Sequence, residues 1–234
     1  MADGDGKADK HASKETFDKR ATAEMEANLV KTDQWTLRQK LALTARMLAR
    51  EGHGNALAGQ ITARGPETGT MWTARFGLGL DEIRACDFLL VVHTHPPYVS
   101  ALSMIGVPLK AAHMDTAMFY EDCAFLDYWP GPPIGDEEGD LISTALGGKN
   151  SILLANHGQL AATATVEEAA MRSLYIEYAA HLQLMAQAAG TIQEIDPKRG
   201  KEAHDYRLKP QPLNASFHYY ARKVLRDEPD CLEE

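Results

Sequence analysis

Two short apolar runs in this chain end in histidine. Phe88-Leu89-Leu90-Val91-Val92 leads straight into His93-Thr94-His95-Pro96-Pro97, and Ser151-Ile152-Leu153-Leu154-Ala155 delivers Asn156-His157-Gly158. Runs this short and this rich in branched residues read as core strands, not as buried helices. Helical periodicity surrounds both. In an extended segment alternate side chains share a face, so His93 and His95 point the same way and two imidazoles can converge on one ion. Pro96 ends the strand and leaves both rings at its carboxyl edge, where open α/β sheets build their sites. His157 stands at the end of the second strand, followed by Gly158, which lets the backbone turn sharply and keeps the space beside the ring open. Three neutral ring nitrogens leave a coordination position free for substrate, as catalytic metal sites do. An H-x-H pair alone fits two histidines bonded to carbonyls near a strand end equally well; the third imidazole moves the reading toward a metal.

The surrounding elements follow from periodicity and punctuation. From Trp35 the apolar residues Leu37, Leu41, Ala45 and Leu48 recur at helical spacing, with Asp33 as the expected N-cap and Gly52 as the expected left-handed terminator. His53-Gly54-Asn55 turns the chain toward a strand at 60–64, and a second at 71–75 follows the breaker Arg64-Gly65-Pro66-Glu67. Prolines at the first positions permit a short helix over 98–104, because those positions need no backbone donor. A second helix spans 136–146, closed by Gly147-Gly148. Thr165-Val166-Glu167-Glu168 reads as a capping box that opens a long helix to about Ala189. Beyond it, Asp196-Pro197, Lys209-Pro210 and Pro212 predict an irregular tail with one short helix near 217–225. Residues 1–28 have mixed charge and only Phe17 as a large apolar group before Met25, so they read as a flexible N-terminal arm, with 29–234 as a single domain.

Size and charge narrow the function. A chain of 234 residues that is 44% hydrophobic can bury a sizeable core. Against 24 Lys and Arg stand 33 Asp and Glu, a net charge of −9, which disfavours a surface that neutralises nucleic-acid phosphates. No stretch approaches the roughly 18–20 apolar residues of a membrane span. The opening residues also lack the apolar segment of a secretory signal. The expectation is a cytoplasmic protein whose partner is a small-molecule substrate, not nucleic acid or membrane. Cys86, Cys123 and Cys231 are odd in number and lack CxxC spacing, so they suggest neither a disulfide framework nor a thiolate zinc site. His11 lies in the arm, and His181 reads as a packed or solvated residue on a helix.

HTHPPYVSALSMIGVPLKAAH, followed by ILLANHGQLAATATVEEAAMRSLYIEYAAHLQLMA, resembles the class II aldolase and adducin-like domain family over about residues 32–189. Ala58-Gly59-Gln60-Ile61-Thr62-Ala63-Arg64 looks like that family's Ala-Gly-Asn-Ile-Ser-x-Arg strand. The resemblance implies a three-layer α/β/α fold with a mainly antiparallel central sheet. It implies a homo-oligomer, usually a tetramer, with active sites at subunit interfaces. It also implies a divalent metal on His93, His95 and His157, zinc first, with iron, manganese or cobalt in relatives, and substrate contacts from Gly59, Gln60 and Thr73. Members include sugar-phosphate aldolases, an epimerase, decarboxylases of hydroxylated aromatic acids, iron-dependent oxygenases and the non-catalytic heads of adducins. Retention of all three histidines argues against the last role.

The chain departs from the aldolase pattern in ways that bear on substrate. Thr73-Ala74-Arg75-Phe76-Gly77 replaces a phosphate-binding Thr-Pro-Thr-Gly turn, and Gln60 replaces the strand's Asn, so a sugar phosphate is disfavoured. The tyrosine that follows the metal pair in some aldolases falls near His113-Met114, and its proton-donor role does not carry over. The family's Ser-Ser-Glu segment, which supplies a carboxylate as acid/base or extra ligand, would lie between Leu90 and Val91. Nothing separates them, and the favoured explanation is a segment missing at that point. Asp115, Glu121 and Asp122 follow the metal pair, but each is expected to be a solvated loop carboxylate. Tyr98, Phe119, Tyr120, Tyr128 and Trp129 are expected mainly to pack, with a planar-ring pocket as the alternative. The catalytic proton carrier is unassigned. The expected function is a metal-dependent lyase that cleaves a C–C bond, aldolase- or decarboxylase-like, in a small hydroxylated carbonyl or carboxylate compound. The alternatives are a mononuclear non-haem iron oxygenase and, behind it, a non-catalytic adducin-like module.

Overall fold

The computed structural model describes residues 14–29, 35–54, 59–64, 71–73, 78–85, 92–131 and 136–233. Cys86, most of the expected strand at 88–92 and the Leu90 to Val91 junction lie outside them. Four strands form the central sheet: β3 (Val92–Thr94), β4 (Cys123–Leu126), β5 (Ser151–Leu154) and β6 (Gln159–Ala161), in the order β3-β6-β5-β4. β3 with β6 and β6 with β5 are antiparallel, while β5 with β4 is parallel. The sheet is therefore mixed and mostly antiparallel. A separate two-stranded sheet pairs β1 (Thr62–Arg64) with β2 (Met71–Thr73).

The apolar run at 151–155 owes its composition to burial on both faces. Leu153 packs with Val99, Leu102, Phe119, Ile176 and Ala180, whereas Ile152 and Leu154 pack with Ala124, Leu126, Ile142 and Leu146. Each such side chain contributes about 1.5–3 kcal/mol when removed from water. One face thus meets α3 (Pro97–Met104) and α5 (Val166–Ala189), and the other meets α4 (Asp136–Leu146), the crossover between parallel β4 and β5. The larger core lies between α2 (Leu37–Arg50), α5 and α7 (Pro210–Asp227), around Leu41, Met47, Met171, Phe217 and Val224.

Local signals account for most helix ends. α2 is capped by Thr36, not Asp33: the Gln39 amide donates to Thr36 Oγ1 while the Thr36 amide donates to Gln39 Oε1. Gly52 takes the expected positive φ of 83°. Thr165 caps α5 by accepting from the Glu168 amide at 3.2 Å. α3 has no side-chain cap of its own. Glu177 of α5 supplies one from outside, accepting the amides of Tyr98 and Val99 at 2.9 and 2.8 Å.

The C-terminal region corrects the expectation of an irregular tail. It holds α6 (Pro197–Arg207) and α7, with a 3₁₀ turn at Pro229–Leu232. Pro197 and Pro210 each stand in the first turn, where a missing amide costs nothing, and Asp196 caps α6 by accepting from the Arg199 amide. The prolines start these helices. Within the first 28 residues, α1 (Lys14–Ala27) is helical, and the Asn28 carbonyl accepts from Arg222 Nη1 of α7 at 2.6 Å.

Candidate metal centre

Strand register builds the site. Thr94 pairs with Gln159, so the carboxyl end of β3 lies beside the β5–β6 turn, residues 155–158. That turn closes with the Leu154 amide donating to the Gly158 carbonyl at 2.9 Å and the His157 amide to the Leu154 carbonyl at 3.1 Å. Asn156 carries its left-handed residue, φ 56°. Gly158 serves close approach instead. A Cβ there would lie 2.5 Å from both His95 Cδ2 and the Thr94 carbonyl oxygen. Of the two roles expected of Gly158, the space beside the ring is the one this approach reflects, while the positive φ of the turn lies at Asn156.

The three expected ligands meet. His95 Nε2 lies 2.8 Å and His157 Nε2 3.2 Å from His93 Nε2, and the three donor atoms all fall within 4.8 Å of one another. Donors sharing a tetrahedral zinc at about 2.0–2.1 Å stand about 3.3 Å apart, so this spacing suits one ion. The outer faces of the rings fix their protons. His93 Nδ1 donates to the Gln159 carbonyl at 2.8 Å, which requires a lone pair on its Nε2. His157 Nδ1 faces Glu138 Oε1 at 3.7 Å, which favours the same tautomer. With the His157 proton on Nδ1, the Nε2 lone pairs of His93 and His157 face each other at 3.2 Å, an arrangement that a cation between them would relieve. Burial, then the neighbouring imidazoles His95 and His157, push the His93 pKa down to about 3, and burial lowers His95 and His157. The set is neutral near pH 7, the form a metal requires.

The expected substrate residues divide. Gln60 forms an antiparallel bridge to His93, its amide donating to the His93 carbonyl at 2.6 Å, so its backbone borders the ligand strand. Gly59 has φ 112°, a backbone conformation that favours glycine, and its segment lies in ordinary contact with the His93 carbonyl. Thr73 lies in the separate sheet, opposite Thr62 in register.

Other candidates do not join the triad. Asp122 is held by Arg172 at 2.7 Å, and Asp115 pairs with Arg207. Phe119 is core, Tyr120 packs on Gly200, and Tyr98 stacks on His181 with centroids 3.8 Å apart. Tyr128 and Trp129 are about half exposed on the loop after β4. Cys123 and Cys231 are free thiols.

Two residues escaped the sequence reading. His53 is buried, with Nδ1 3.1 Å from Thr94 Oγ1. Glu138 is, among the described residues, the one carboxylate within ion-pair distance of the three rings. The first turn of α4 carries three consecutive acidic residues, Asp136-Glu137-Glu138, and nothing local in the sequence singles out Glu138 among them.

Comparison with known proteins gives matches in one family. Residues 86–184 match the family model for the class II aldolase and adducin N-terminal domain. The chain is 33% identical over 109 residues to decarboxylase NovR of Streptomyces niveus, covering 47% of this chain and 40% of that protein. It is 32% identical over 109 residues to 4-hydroxy-3-prenylphenylpyruvate oxygenase/4-hydroxy-3-prenylbenzoate synthase of Streptomyces roseochromogenus subsp. oscitans, covering 47% and 39%. The chain thus spans about two fifths of the length of these relatives. Among solved structures it superimposes on L-fuculose 1-phosphate aldolase from Glaciozyma antarctica PI12 with TM-score 0.74, at 24% identity, covering 84% of this chain and 92% of that one. At that identity the likeness establishes the fold.

Proposed function

This chain belongs to the class II aldolase and adducin N-terminal domain family through residues 86–184, and from that premise we propose that it is a metal-dependent lyase. The reaction is C–C cleavage, aldolase- or decarboxylase-like, in a small hydroxylated carbonyl or carboxylate compound that is not a sugar phosphate. The observation that carries the reading is the convergence of three imidazoles whose ring nitrogens all lie within 4.8 Å of one another. Bound there, a divalent ion, zinc in this reading, supplies Lewis acidity that polarises a carbonyl or carboxylate and steadies the negative charge left when the bond breaks.

The chain's own residues hold and shape that centre. His93, His95 and His157 are the ligands, and the His93 to Gln159 bond keeps one ring in its ligating tautomer. Gly59 and Gln60, whose segment pairs with His93, are taken as substrate contacts in this reading, with Thr73 as a further one. Residues 29–234 form one working domain in a three-layer arrangement, supported by helices on both faces of β5. The reading also takes a cytoplasmic homo-oligomer, a tetramer by family habit, supported by the frequency of oligomers among class II aldolases. Among the described residues no helix is long and apolar enough to cross a membrane.

The second reading is a mononuclear non-haem iron oxygenase. Three nitrogen ligands with open positions also suit iron, and the oxygenase named above is among the similar proteins. Metal analysis with turnover assays under argon and under oxygen separates the two. Zinc with anaerobic release of a carbonyl product or CO2 from 2-hydroxy and hydroxyaryl carboxylates supports the lyase. Iron with stoichiometric oxygen uptake supports the oxygenase. A chain that binds no divalent ion would sink both.

A further inference from the structure

The geometry points to Glu138 as a positioning residue that fixes the ring of His157 and raises its affinity for the ion; the inference rests on the metal reading above. His157 has two ring nitrogens with different surroundings. Nε2 faces the other two imidazoles, 3.2 Å from His93 Nε2, while Nδ1 faces Glu138 Oε1 at 3.7 Å. His93 shows the same division, with Nδ1 on the Gln159 carbonyl at 2.8 Å. On the side away from the centre, His93 is thus held by a backbone oxygen, and His157 faces a carboxylate. An acceptor on Nδ1–H keeps the lone pair on Nε2, restrains rotation about the Cβ–Cγ bond and makes the ligating nitrogen more basic, and a charged acceptor does so more strongly than a carbonyl.

Burial and placement distinguish this contact from a surface ion pair. The side chains are 14% exposed for Glu138 and 19% for His157, so water screens them little. Glu138 lies in the first turn of α4, which is anchored on β4 and β5 through Ile142, Ala145 and Leu146. Since β5 leads into the turn that carries His157, one packed unit sets both partners. The separation exceeds a direct N–H···O bond of up to about 3.2 Å by roughly half an ångström, a gap that a small side-chain rotation closes.

The test is metal affinity, measured for zinc and cobalt(II) by competition with a chromophoric chelator. The proteins are the wild-type chain, Glu138→Gln, Glu138→Ala and His157→Ala, with the metal-free melting temperature and the visible spectrum of the cobalt form recorded for each. Glu138→Ala is expected to weaken binding about 10–100-fold and Glu138→Gln by less, both with shifted cobalt absorption. If Glu138→Ala melts early in the metal-free form, Glu138→Gln, equal in size and helix propensity, carries the decision. Wild-type affinity and an unchanged cobalt spectrum in the glutamine variant, while His157→Ala has lost the ion, would overturn the role of Glu138 alone. If the wild-type chain itself takes no metal, the metal reading fails and this inference with it.

Discussion

At Gly158 one hydrogen atom separates a working turn from a collision. The 2.5 Å approaches to the Thr94 carbonyl and His95 Cδ2 involve backbone and a ring that points at the centre, neither of which can step aside freely. Gly158→Ala is therefore expected to lose about 2–4 kcal/mol of stability and to displace His95. Urea denaturation and zinc titration check the two effects, and a variant with wild-type stability and affinity would show the turn to be looser than described. His53 offers a second residue-scale prediction. Burial pushes its pKa from 6.5 down to about 3, so as pH falls below 6.5 the unfolded chain binds a proton that the folded chain refuses. The neutral ring's contribution is full above pH 6.5 and is lost progressively toward pH 3, at up to about 1.4 kcal/mol per pH unit. His93, lowered in the same direction, adds to the slope in metal-free protein. His53→Gln is expected to flatten the dependence of urea stability on pH between 6 and 4; parallel curves for the two proteins would refute the assignment. His53 was illegible in the sequence because nothing in His53-Gly54-Asn55 says that Thr94 will meet it. His93 and His95 were legible as a pair because period-two alternation is a local rule, whereas the joining of His157 to them, 64 residues away from His93, rested also on the resemblance to the class II aldolase family.

Between elements, the tie that matters most is Arg172, fully buried on α5. It binds Asp122, just before β4, at 2.7 Å and Glu168 at 2.9 Å. Burial works against the Asp122 charge, but Arg172 and the Asn150 amides outweigh it and hold the carboxyl below its ordinary pKa. Asp122 thereby joins α5 to the residue that precedes β5. Removing one partner of such a pair leaves a charge stranded, so Asp122→Ala is expected to cost about 3 kcal/mol, with Glu168 retaining part of the guanidinium's compensation. Combining it with Arg172→Met is expected to lose less than the sum of the single changes; additive losses in a double-mutant cycle by urea denaturation would deny the coupling. At this scale the sequence was readable wherever one element's own pattern decided. α4 begins and ends where its periodicity predicts, and α5 starts on the expected Thr165 cap. It was misleading at 196–212, where proline was read as a breaker although a first-turn proline is compatible with a helix, and at Asp122, read as solvated because its arginine lies 50 residues away.

For the whole molecule, the proposed metal makes folding and ion binding one equilibrium. The proposed ligands come from β3, from the residue just past its end and from the β5–β6 turn, held together by register with β6, so an unfolded chain has no such site. An ion that binds only the folded form adds RT ln(1 + [M]/Kd), about 2.7 kcal/mol at a hundredfold excess over Kd. For a chain of this size that corresponds to a rise in Tm of roughly 5–11 °C. The rise is expected to saturate with metal, to reverse with a chelator and to vanish in His157→Ala, whose fold keeps β5 and β6 but whose site has two donors. The three imidazoles are neutral in the folded chain through burial, so they need shed no protons to accept the ion near pH 7. Equal melting of the chelated and metal-saturated wild-type chains, with zinc, iron(II), manganese and cobalt each tried, would mean that the convergence at His93, His95 and His157 is packing alone.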